Sequence, residues 1–163
     1  MDQEMSMKTC KNKDNKIIES FQIKAPVKVV AIAKALGITV RKSKSFPRSL
    51  SGLIRCVDGV FEIYVNANHP ATRQRFTIAH ELGHYMKHRD RIGDGIVDDY
   101  LYRSGLTDSL EHEANQYAAR LLIPRVLATN PQYKKFTITQ MADQFRVSNK
   151  TMDIRLGELG LID

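Results

Sequence analysis

A chain of 163 residues, 42% hydrophobic and 26% charged, has the size and composition of one folded domain or of a compact domain with a small terminal subdomain; two large domains and wholesale disorder are excluded. Its formal charge of +7 favours encounter with polyanions but does not choose between nucleic acid and an acidic protein. No run reaches the roughly 18 apolar residues of a membrane helix, the opening MDQEMSMKTCKNKDNK lacks an apolar signal core, and Cys10 and Cys56 have no second pair for a metal knuckle or disulfide framework. A cytoplasmic protein with free thiols and no membrane association is expected.

Residues 1–22 are polar and aperiodic, so a flexible N-terminal tail is expected there. From Ala25 to Leu36, the residues Val27, Val30, Ala31, Ala33 and Leu36 recur at helical spacing, and Gly37 follows where a helix stops. Segments of alternation come next: Ile38 and Val40, then Leu53, Ile54 and Cys56, then Val60, Phe61, Ile63 and Val65. Asp58-Gly59 between the last two is a hairpin signal, and a small antiparallel sheet of about three strands is predicted.

Pro70 and Thr72 introduce a second helix that runs through Phe76, Ile78, Ala79, Leu82, Gly83 and Met86 to about His88. Residues 89–107 carry glycine and mixed charge without periodicity, a loop long enough to suggest a functional role. Asp108-Ser109 caps a third helix with an apolar stripe of Leu110, Ala114, Tyr117, Ala118, Leu121 and Leu122 before Pro124. Two short helices, TITQMADQF and SNKTMDIRLGEL, close the chain with Ser148 as the second N-cap, an arrangement that resembles a helix-turn-helix. The expected organisation is an α+β core over residues 23–130 with a helical C-terminal unit, 131–163, packed on it.

Chemistry concentrates in the segment HELGH. Residues four apart lie on one helix face about 6 Å apart along the axis, so His80 and His84 can aim a ring nitrogen at one ion. Glu81 is rotated about 100° from His80, which lets it flank the ion and hold a water instead of binding metal. Zinc acidifies a bound water to a pKa of about 7; Glu81 can take its proton as the water attacks a peptide carbonyl and return it to the departing amine.

A motif this short arises by chance, so the site stands or falls on a third ligand. His88 continues the series but lies about 12 Å along the helix from His80, too far to share an ion. The elongated pattern with a third His six residues beyond the second is absent, because that position is Asp90. The helix carrying EHEAN offers Glu111 and Glu113, of which Glu111 is preferred, and a carboxylate there completes a His-His-Glu set with one position open for water and substrate. Asn115, four residues beyond Glu111, can accept a hydrogen bond from the far nitrogen of a ligand imidazole. Such a set suits zinc and also manganese.

The stretches RFTIAHELGHYMKH (Arg75 to His88) and EHEANQYAARLLIP (Glu111 to Pro124) resemble the ImmA/IrrE family of metallopeptidases. The likeness extends from the first helix at about residue 25 to the segment MADQFRVSNKTMDIRLGELGLI. It implies a zincin-like core, with His80, His84 and Glu111 as zinc ligands, Glu81 as catalytic base and Asn115 supporting a ligand histidine. It also implies site-specific cleavage of a helix-turn-helix repressor, expected to be co-encoded, so that repression is relieved. Tyr117 stands where the family usually has phenylalanine. Tyr100, Tyr102 and His112 are candidates for stabilising the oxyanion.

Two other functions compete. A DNA-binding regulator would use the C-terminal helix pair, with Lys150 and Arg155 on phosphates. Against direct DNA binding, the second helix spends Met152, Leu156 and Leu159 on packing, carries Asp153 and Glu158, and offers few side chains that read bases. A non-proteolytic metal-binding regulator would show the same ligands, but it has no need of Glu81.

Overall fold

The structure is a computed structural model that describes residues 2–92 and 108–163. It is α+β: helices α1 (Asp2–Phe21) and α2 (Val29–Ala35), strands β1 (Thr39–Ser43), β2 (Gly52–Val57) and β3 (Val60–Asn66), then α3 (Ala71–Lys87) and, past the undescribed residues, α4 (Asp108–Leu122), α5 (Arg125–Ala128), α6 (Ile138–Phe145) and α7 (Asn149–Glu158). Among the described residues no helix is long and apolar enough to cross a membrane.

Helix α2 ends where Gly37 adopts φ +79°. The Gly37 and Ile38 amides then bond back to the Lys34 and Ala33 carbonyls at 3.0 and 2.9 Å, closing the helix with a left-handed residue that only glycine adopts without strain. Asp58 and Gly59, at φ 51° and 77°, make the tight turn that joins β2 to β3 as an antiparallel pair.

The sheet is mixed, which corrects the antiparallel expectation. Its order is β1-β3-β2, and β1 runs parallel to β3. The cause is the connector, residues 44–51, which carries the chain past the position beside β1 and delivers β2 to the far side of β3. Buried Asn66 holds that connector from the end of β3: its side-chain amide donates to the carbonyls of Pro47 (3.0 Å) and Leu50 (2.8 Å), and its Oδ1 accepts from the Asn68 amide (2.9 Å). A polar residue at the end of β3 thus holds the connector that leads into β2.

Helix α3 lies between the sheet and α4. Ten consecutive residues, Thr77–Met86, are buried, more than the one stripe of a surface helix. Gly83 makes the α3–α4 approach possible, because a Cβ there would stand 3.1 Å from the Ala114 carbonyl oxygen and 3.2 Å from the Tyr117 Cβ. Facing it, α4 buries Ala114 and Ala118 completely; small residues on both helices bring the backbones together.

The N-terminal segment also departs from expectation: residues 2–21 are helical, not an unstructured tail. They contain no Gly or Pro, and four Lys, two Glu, two Met and one Gln, all good helix formers, are spread along them. The helix docks by a narrow line of residues. Asp14 accepts a 2.7 Å ion-paired hydrogen bond from Arg89, whose guanidinium stacks 3.8 Å from the centre of the Tyr85 ring, and Ile18 is buried one turn on.

At the other end of the chain, Thr137 and Gln140 form a reciprocal capping box at the start of α6, and Ser148 accepts from the Thr151 amide at the start of α7. Arg75 of α3 donates to the carbonyls of Val27, Phe145 and Arg146, tying α2 and the end of α6 to the central helix. Helix α7 buries Met152 and Leu156. Arg155 points inward, donating to the Ile123 carbonyl (3.1 Å) and pairing with Glu158 (3.1 Å).

Candidate metal centre

Helix α3 presents His80 and His84 one turn apart, both buried, with rings nearly perpendicular at 84° and centroids 4.7 Å apart. Their Nε2 atoms approach to 3.1 Å. Across the seam that Gly83 keeps narrow, Glu111 of α4 places one carboxylate oxygen 3.2 Å from His80 Nε2 and the other 3.1 Å from His84 Nε2. These three residues are a group able to hold a metal ion, with one ligand atom from each within 4.8 Å of the others.

The donor set and its spacing fit a common ion. Ligands about 2.0–2.1 Å from a tetrahedral zinc stand about 3.3 Å from one another. The two Nε2 atoms stand 3.1 Å apart, and each meets a different oxygen of Glu111 at 3.2 or 3.1 Å, so every neighbouring pair of donors is already near that spacing. Burial alone would raise the Glu111 carboxyl, but its hydrogen bonds with His80 and His84, and their attraction, outweigh it and hold the group well below the usual carboxylate range. It is therefore an anion, as a ligand must be.

The far nitrogens of both imidazoles are engaged. Asn115 Oδ1 lies 2.8 Å from His80 Nδ1. His84 Nδ1 lies 3.0 Å from Nδ1 of His88, itself 4% exposed, and His88 Nε2 lies 3.2 Å from Glu113. Of the two carboxylates of EHEAN, Glu111 therefore turns to the histidine pair and Glu113 to His88, which stands outside the three-donor group. In the sequence His88 and Glu113 stand out only as possible ligands. The continued i, i+4 series His80-His84-His88 was the available signal, and it points at the imidazoles' outer edge.

Glu81 follows His80 on α3 and is 1% exposed, buried but not a member of the donor triangle. A cleft of about 190 Å3 opens on the site, lined by His80, Glu111 and Asn115 together with Ser51, Arg73, Phe76 and Thr77; of these last four, the sequence pattern marks only Phe76, and as a helix core residue. Ser51 precedes edge strand β2, so the cleft runs under the sheet edge; Arg73 donates to the Ser51 hydroxyl at 3.1 Å. Phe76 and Asn115 also line a second groove of about 400 Å3 that continues towards α7 past His112, Thr151 and Ile154. His112 faces that groove and not the cleft, and Tyr100 and Tyr102 lie outside the described residues.

With this geometry in place, comparison with known proteins defines the class. The family profile described as the IrrE N-terminal-like domain matches residues 33–157; the chain belongs to the ImmA/IrrE family. It is similar to metallopeptidase ImmA of Bacillus subtilis (strain 168), with 29% identity over 112 residues that make up 68% of this chain and 64% of that protein. Its fold is similar to that of a Mycobacterium tuberculosis transcriptional regulator at a TM-score of 0.61 and 16% identity, covering 91% of this chain and 47% of the other. The chain thus matches less than two thirds of the first relative's length and under half of the second's.

Proposed function

We propose that this chain is a zinc-dependent endopeptidase that cuts a helix-turn-helix transcriptional repressor, a co-encoded one being the first to test. The observation that carries the reading is the triangle of His80, His84 and Glu111, three metal-ligand atoms converging in a buried seam beside an open cleft. Kinship with a metallopeptidase supports it.

In this reading His80, His84 and Glu111 hold the ion, and Asn115 accepts the His80 Nδ1 proton so that Nε2 stays free to bind. The bound zinc supplies Lewis acidity to a peptide carbonyl and to water. Glu81 takes the proton of the attacking water and delivers it to the departing amine. The substrate chain occupies the cleft under β2 and the groove beyond Phe76. The residues 23–130 form the zincin-like core, and α6 and α7 a helix-turn-helix-like unit that docks the partner. The inward-facing Arg155 and the packing of Met152 and Leu156 leave α7 poorly equipped to read DNA.

Two variants test the proposal. Glu81→Gln is expected to keep zinc and lose repressor cleavage by at least about 100-fold; cleavage at the wild-type rate removes Glu81 as base. Glu111→Ala is expected to lose stoichiometric zinc on dialysis, and full occupancy by metal analysis would remove it as a ligand.

A further inference from the structure

The far nitrogen of His84 does not meet an amide or a carboxylate, as that of His80 meets Asn115; it meets a second imidazole. His88 lies one turn further along α3 with Nδ1 3.0 Å from His84 Nδ1, and its own Nε2 is 3.2 Å from Glu113 on α4. Proton placement follows from hydrogen-bond logic. If His84 Nε2 is to bind a cation through its lone pair, the ring proton must sit on Nδ1 and donate to His88 Nδ1. His88 Nδ1 must then be unprotonated, and the His88 proton must sit on Nε2, where Glu113 accepts it.

We infer that His88 and Glu113 are positioning residues for the metal centre: the Glu113 carboxylate selects the Nε2–H tautomer of His88, and His88 in turn fixes the tautomer and ring angle of His84. The inference rests on the metal-binding reading of His80, His84 and Glu111. Burial supports the division of labour. His88 is enclosed at 4% exposure and cannot exchange this partner for water, whereas the Glu113 side chain is 48% exposed and reaches the buried ring from the solvent side. A carboxylate acting through an imidazole is a recurring way to orient a ligand histidine; here it acts through two, reaching from α4 back to α3.

The experiment uses the full chain and measures zinc affinity by competition with a chromophoric chelator, the unfolding midpoint of the metal-free protein, and the ring 15N shifts of the zinc-loaded, histidine-labelled protein. Glu113→Ala is expected to weaken zinc binding about tenfold or more, with the metal-free midpoint unchanged, and to shift His88 from the Nε2–H form to a mixture of tautomers. Glu113→Gln keeps an acceptor oxygen and is expected to bind zinc within about threefold of wild type. Wild-type affinity in Glu113→Ala while the parent chain binds zinc overturns this inference and leaves the metal reading standing. A Glu113→Gln variant as weak as Glu113→Ala, or a metal-free midpoint that falls in step with affinity, overturns it in favour of a simple α3–α4 tie. A parent chain that takes up no zinc overturns both.

Discussion

Helices α1 and α3 are of similar length but are held in opposite ways. Helix α3 buries ten successive residues between the sheet and α4, so it is enclosed by packing on every side, apolar towards the core and polar at His80, Glu81 and His84. Helix α1 exposes nearly all of its residues and is anchored by Asp14, Ile18 and the stacked Arg89, which lies in the short turn that follows α3. The first is fixed by packing and tolerates no change of volume. The second is fixed by a charge-assisted contact and a narrow apolar line at Ile18, and should detach without unfolding the rest.

Substitution in the α3–α4 seam should have the largest effect. Gly83→Val puts a branched side chain where a Cβ already meets the Ala114 backbone at 3.1 Å, and is expected to destabilise the fold by about 3 kcal/mol, measured by denaturant unfolding. Zinc affinity should fall too, because the helices that carry His80, His84 and Glu111 must part. Unchanged stability would show that the seam is slack and that burial does not set the helix spacing.

Next in size is the N-terminal anchor. Asp14→Ala leaves the Arg89 guanidinium, one quarter exposed, without its carboxylate and should cost about 1–2 kcal/mol. The loss should be local. Limited proteolysis with trypsin is expected to cut at Lys11, Lys13 and Lys16 well before any site in α3, while zinc affinity stays at the parent value. If α1 remains resistant, its packing through Ile18 is sufficient and the ion pair is dispensable.

The same contrast explains what could be read from the sequence. Helix α3 and the β2–β3 turn were legible because their signals are local: apolar periodicity from Phe76 to Met86, and Asp58-Gly59 between two alternating runs. Helix α1 was not, because its docking stripe is two or three residues wide and its partner Arg89 lies 75 residues away. Nor was the parallel pairing of β1, because the contacts that hold the connector run from Asn66 to carbonyls 16 and 19 residues earlier in the chain. At the candidate site, spacing nominates His80 and His84, the EHEAN helix offers Glu111, and Asn115 is legible as a partner for the far nitrogen of one imidazole, but nothing in the pattern supplies a partner for the other. The roles of His88 and Glu113 emerge only when both nitrogens of His84 must be satisfied at once.

The smallest effect at neutral pH should come from Tyr117→Phe, and it tests whether the two regions communicate. Tyr117 lies in the seam against Gly83, and burial, reinforced by the negative charge of Asp14 on α1, pushes its phenol up to about 12. A group whose folded pKa exceeds its unfolded value of about 10 contributes stability that is complete below pH 10 and is lost as pH rises towards 12. Wild type should therefore lose roughly 1 kcal/mol per pH unit between pH 10 and 11 relative to Tyr117→Phe. Tyr85, also raised by burial, is common to both proteins and cancels in the difference. Adding Asp14→Ala should shrink that alkaline slope, because removing the carboxylate lets the phenol ionise sooner. Equal slopes in the Asp14 and Asp14→Ala backgrounds would mean that the seam does not sense the charge on α1.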